Sequence, residues 1–96
     1  MPAAPLRALV IGCGHMGASH ARAYARNPGY DLIGVVSRGI AGREALAREL
    51  GTTAHADALT AIGELRPAVV AIASYTDTHA PYTLAALEAG AHVFVE

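Results

Sequence analysis

The chain has 96 residues, a net charge of -1 with its histidines neutral, and a hydrophobic content of 53%. That is enough apolar surface for one packed core and too much for a disordered tail. The near-neutral balance provides no basic face for nucleic acid, and every basic residue is an arginine: Arg7, Arg22, Arg26, Arg38, Arg43, Arg48 and Arg66. Cys13 is the one cysteine, so no intrachain disulfide can form and a reducing cytoplasm is the expected setting. The segment Met1-Pro2-Ala3-Ala4-Pro5 has neither the charged flank nor the apolar centre of a signal peptide, and no apolar run is long enough to span a bilayer.

Leu6 to Ile11 reads as a strand covered on both faces, since Leu9-Val10-Ile11 is unbroken apolar sequence. A glycine-rich turn follows, and from Met16 to Asn27 the pattern becomes helical, with Met16, Ala21, Tyr24 and Ala25 on the apolar face. Asn27-Pro28-Gly29 ends that helix. Tyr30 to Ser37 is the second strand, and residues 38–42 read as a loop. A helix is expected over Arg43 to Leu50, ended by Gly51, then a short edge strand over Thr52 to Ala56. Asp57 caps a helix running to Leu65. Pro67 leads into the strand Ala68 to Ala73, and residues 74–78 form a polar loop. Thr78 or His79 opens the last helix, with Pro81 in its first turn and Gly90 at its end; Ala91 to Val95 is the fifth strand. Strictly alternating β and α units predict an α/β fold: a doubly wound, Rossmann-like parallel sheet of five strands with helices on both faces, forming one dinucleotide-binding domain over residues 1–96.

The turn Gly12-Cys13-Gly14-His15-Met16-Gly17 lies between an apolar strand and a helix, which is the context a dinucleotide fingerprint requires. Gly12 is expected to allow the tight turn, Gly14 to let backbone approach a pyrophosphate, and Gly17 to bring helix and strand together. Free N–H groups of the first helical turn then face the diphosphate, helped by the helix dipole. Cys13 reads as a small residue in a crowded turn, and His15 and Met16 as contributors of backbone to the same cradle. The end of the second strand carries Ser37-Arg38 where an NAD site has a carboxylate for the ribose 2′-hydroxyl. No Asp or Glu occurs between Asp31 and Glu44. A hydroxyl and a guanidinium suit a 2′-phosphate, and Arg43 adds a second positive charge, so NADP is expected in preference to NAD. Arg38 as a solvated residue, or stacked on the adenine of either cofactor, is the alternative.

These residues resemble a known family. Gly12 to Gly17 with Ser19-His20, then Ala73-Ser74-Tyr75-Thr76-Asp77-Thr78-His79, then Ala85 to Glu96, are similar to three signatures of the Gfo/Idh/MocA oxidoreductases. The resemblance covers essentially the whole chain. It implies the cofactor domain of a two-domain enzyme that moves hydride between a nicotinamide and a sugar, cyclitol or related polyol. It further implies that Ser74 and Tyr75 line the nicotinamide-ribose side, that His79 begins the helix beneath it, and that Glu96 contacts the same ribose. Tyr75 stands where the family pattern has proline, which leaves the loop shape open. The pattern continues past the glutamate with a lysine, the usual acid/base partner, and then a substrate domain; neither is within these residues.

Hydride transfer needs a positioned nicotinamide, a bound alcohol and a proton acceptor. The chain supplies the first, so on its own it is expected to bind dinucleotide without turnover. His79 reads as a capping residue before it reads as a base, and His20, His55 and His92 as packing or surface residues. A stand-alone dinucleotide-binding or redox-sensing module is the competing reading. The apolar run Val93-Phe94-Val95 in an edge strand suggests a homodimer paired through residues 91–95.

Overall fold

A computed structural model describes residues 4–95, with the side chain of Thr76 left aside. Glu96, expected at the nicotinamide ribose, lies outside the described residues. The order is β1 (Leu6–Ile11), α1 (His15–Arg26), β2 (Tyr30–Val36), α2 (Ile40–Leu50), β3 (Ala54–His55), α3 (Ala58–Leu65), β4 (Val69–Ile72), α4 (Thr76–Glu88) and β5 (His92–Val95). All strand pairs are parallel, in the order β3-β2-β1-β4-β5. The chain steps outward from β1 to β3, then crosses back to β4 on the other side of β1.

Alternation along the central strands sorts side chains between two cores. Leu9, Ile11, Val36, Val70 and Ile72 pack with Ala58, Ala61 and Ile62 of α3 and Ala86 of α4. Val10, Val35 and Ala71 pack on the opposite face with Ala21 of α1 and Leu46 and Ala47 of α2. Strands apolar on both faces are therefore what a sheet covered twice demands. The α1 side uses small residues, Ala21 and Ala71, because α1 lies close to the sheet.

Local chemistry sets most element ends. Asp57 accepts a hydrogen bond from the Leu59 N–H at 3.2 Å, the N-cap of α3. Gly51 ends α2 in the left-handed conformation. Three expectations are corrected. α1 buries Gly17 and Ala21, whereas Met16 and Ala25 are exposed, because a glycine lets the helix rest on the turn below it. α2 begins at Ile40: Gly39 is its N-cap, and the Arg43 N–H bonds the Gly39 carbonyl at 3.3 Å, so the glycines at 39 and 42 start a helix instead of extending a loop. α4 begins at Thr76, since the N–H and hydroxyl of Thr78 both fold back on the Tyr75 carbonyl, at 2.9 and 2.6 Å. Pro81 consequently sits inside the helix, past its first turn.

Candidate dinucleotide site

The C-terminal ends of β1, β2 and β4 open into a cleft of about 400 Å³. It lies where the strand order reverses around β1, the crevice in which open α/β sheets bind ligands. Backbone bonds carry each strand into its loop: the Gly12 N–H to the Val36 carbonyl at 2.7 Å, Ala73 to Ile11 at 2.8 Å, and Ser37 to His55 at 3.1 Å. The loops that line the cleft are thus extensions of the sheet.

Each motif glycine has its own reason. Gly12 has φ +109°, and a Cβ there would run into the Ala73 carbonyl at the end of β4. At Gly17 a Cβ would land on the carbonyl oxygen of Gly12, so α1 can reach the turn only through glycine. Gly14 differs: its φ is -75°, and a Cβ would meet nothing within 4 Å. Among the described residues, no atom beyond its chain neighbours comes within 4 Å of the place a Gly14 side chain would take. As N-cap of α1 it has no side-chain cap, and the first turn holds no acidic residue. The first-turn N–H donors therefore face an open space of the kind a phosphate occupies. The backbone fits the diphosphate of a nicotinamide dinucleotide.

The expected site residues divide into two groups. Gly12, Cys13, Gly14, Ser37, Arg38, Ser74 and Tyr75 line the cleft. His15 and Met16 are exposed and outside its lining, so their side chains stand away from the cleft. Arg43 stands behind the β2–α2 loop, its Nη1 donating to the carbonyls of Ser37 at 3.0 Å and Arg38 at 3.1 Å. His79 is likewise behind the wall: its Nε2 donates to the Ser74 carbonyl at 2.9 Å. Cys13 is half-buried, with Sγ 3.7 Å from the Val36 carbonyl. Burial pushes its thiol above the ordinary value, against smaller downward pulls from the Ser37 hydroxyl and the Arg43 charge. That is the environment of an inert thiol. Elsewhere, His20 packs edge-on against Phe94 with ring centroids 5.3 Å apart, and His92 is exposed.

Tyr75 has φ -63°, the value a proline ring imposes, so the tyrosine keeps the backbone path that proline would take. Its ring is 76% exposed at the mouth of the cleft. Sequence reasoning missed Thr78 and Tyr82, which also line the cleft. With the helix start placed at Thr78 or His79, neither had an assigned direction; starting α4 at Thr76 turns both inward.

Fold and site together define a Rossmann dinucleotide-binding domain. The chain belongs to the Gfo/Idh/MocA oxidoreductase family: the family described as "Oxidoreductase family, NAD-binding Rossmann fold" matches residues 6–96. The D-glucoside 3-dehydrogenase of Escherichia coli K12 is 34% identical over 98 residues, which take in 100% of this chain and 28% of that enzyme. Among solved structures, myo-inositol 2-dehydrogenase from Lactobacillus plantarum superposes with a TM-score of 0.89 at 30% identity, over 95% of this chain and 27% of that one. Scyllo-inositol dehydrogenase from Lactobacillus casei, solved with NAD(H) and scyllo-inositol, gives 0.88 at 26% identity, over 95% and 27%. The chain thus spans little more than a quarter of the length of these relatives. No helix among the described residues is long and apolar enough to cross a membrane.

Proposed function

We propose that the chain is the cofactor-holding part of an NADP-preferring oxidoreductase acting on the CH–OH group of a sugar, cyclitol or related polyol. When bound, the nicotinamide supplies the hydride acceptor or donor. The chain's own residues grip and orient the cofactor. N–H groups at the start of α1 meet the diphosphate, with Gly14 keeping the approach clear. Ser37 and Arg38 meet the adenosine ribose, and Ser74 and Tyr75 the nicotinamide ribose. Family membership and the kinds of substrate named for the relatives support the substrate class. On this reading the 96-residue chain by itself binds dinucleotide without turnover, since the reaction also needs a bound alcohol and a proton acceptor.

The observation that carries the NADP preference is Arg38 on the cleft wall next to Ser37, with no carboxylate there. Arg43 supports it indirectly, by holding the carbonyls of that loop. Calorimetric titration tests it. NADP is expected to bind more tightly than NAD, and Arg38→Ala to lose most of that margin. One charge-assisted contact is worth about 1.5–3 kcal/mol, or roughly 10- to 150-fold. Tighter binding of NAD to the wild type, or an unchanged preference in Arg38→Ala, overturns the reading.

A cytoplasmic setting belongs to the same proposal and rests on the lone reduced-type cysteine. So does self-association through β5, where Phe94 is 50% exposed and Val95 42%. Sedimentation that stays monomeric over a wide concentration range would remove the dimer.

A further inference from the structure

Thr78 is the one polar residue among the described residues that is buried, at 8% exposure, and its hydroxyl faces the cleft wall. Its hydrogen bonds have a forced direction. The Tyr75 carbonyl can only accept, so the single Thr78 hydroxyl proton goes to it, at 2.6 Å. The Ser74 Oγ lies 2.6 Å from Thr78 Oγ1. With the Thr78 proton committed, Ser74 must donate to Thr78, and what Ser74 has left is lone pairs. His79 holds the Ser74 carbonyl from behind at 2.9 Å, which fixes the backbone from which this hydroxyl projects.

We infer that Thr78 is a positioning residue that makes Ser74 an obligate hydrogen-bond acceptor, so that the β4 side of the cleft selects ligand groups that donate. The inference rests on the dinucleotide reading above. A dinucleotide laid across the glycine turn puts its adenosine ribose at the end of β2, so its other riboside falls at the end of β4. That half carries donors, two ribose hydroxyls and a carboxamide amino group. A phosphate has only acceptors and is turned away from Ser74. The two sides of the cleft are thereby opposite in polarity: donors at the α1 start and Arg38 for phosphate, an acceptor at Ser74 for the riboside. A reversed NADP would bring its 2′-phosphate against Ser74, acceptor against acceptor, so the order of the Ser74–Thr78–Tyr75 relay disfavours that orientation.

The test is calorimetric titration of the 96-residue chain with NADP, NAD and ADP, the last lacking the nicotinamide riboside. Thr78→Val keeps the shape of the side chain and removes the relay. It should weaken both dinucleotides roughly three- to tenfold, the effect of one neutral hydrogen bond, and leave ADP unchanged. Thr78→Ser should restore wild-type binding. Ser74→Ala should reproduce the loss, and the double variant Ser74→Ala/Thr78→Val should add nothing to it, because Thr78 acts through Ser74. Unchanged dinucleotide affinity in Thr78→Val overturns the inference. So does an equal loss of ADP, which would mark Thr78 as a support of the whole fold, and so do additive effects in the double variant. A wild-type chain that binds neither dinucleotide nor ADP instead overturns the reading on which the inference stands.

Discussion

Replacing Gly14 by alanine separates ligand binding from folding more cleanly than any other change in this protein. The backbone at Gly14, with φ -75° and ψ -167°, is open to alanine, and among the described residues the added Cβ meets no atom within 4 Å beyond its chain neighbours. An alanine N-cap costs up to about 1 kcal/mol relative to a better cap, while removing glycine's freedom from the unfolded chain returns about 0.4–1 kcal/mol. The two offset each other, so Gly14→Ala should melt within a few degrees of the wild type. Binding should respond differently. The methyl group occupies the space through which a phosphate oxygen approaches the first-turn N–H groups. Losing one charge-assisted bond there removes about 1.5–3 kcal/mol, a fall in affinity of roughly 10- to 150-fold for NADP, NAD and ADP alike. Calorimetric titration reads the affinity and a thermal melt reads the fold. An unchanged affinity in Gly14→Ala would mean that the diphosphate does not lie over this turn, and the functional reading would go with it.

Gly17→Ala should do the reverse, lowering stability first, because its Cβ falls on the Gly12 carbonyl and α1 must back away from β1. Overpacking of this kind costs about 1–3 kcal/mol, and a domain of this size loses about 4–8 °C in melting temperature per kcal/mol. Cys13 should alkylate slowly at neutral pH, with its rate rising only above the range of an ordinary thiol. Its folded-state value is raised by burial, so the protonated thiol favours folding below the unfolded value, and that contribution falls away as pH climbs through the folded one. Alkylation at the rate of a free thiol, followed by mass spectrometry, would contradict this. Arg22 joins α1 to α2 through a two-pronged pair with Glu49, at 2.7 and 3.0 Å. The Arg22 hydrogen bond holds the Glu49 carboxyl below its ordinary value. Its stabilising contribution is therefore present above the unfolded carboxylate value and lost as pH falls through the folded one. Glu49→Gln should flatten the acid side of the stability profile measured by urea unfolding, and added salt should shrink the difference from wild type.

How much of this was legible beforehand follows from the range over which each rule acts. The order of strands and helices, the glycine turn, the Asp57 cap and the glycine at the end of α2 depend on residues within a few positions of one another, and they appear in the structure as read. Helix starts were less legible. Glycines at 39 and 42 look like loop residues until Arg43 is seen bonding the Ser37 and Arg38 carbonyls, and the start of α4 depends on a hydroxyl turning back on a carbonyl three residues earlier. The site was read in outline and then redistributed. Arg43 and His79 carry the charge or ring expected of a ligand contact, but both are used to hold the loops from behind, while Thr78, read only as a possible helix start, and Tyr82, which drew no notice, line the cleft. A linear pattern specifies which residue types recur and at what spacing. The sheet order β3-β2-β1-β4-β5, and with it the direction each loop side chain takes, came from burying apolar strands on two faces at once. That is a demand of long-range packing, met only when distant segments come together.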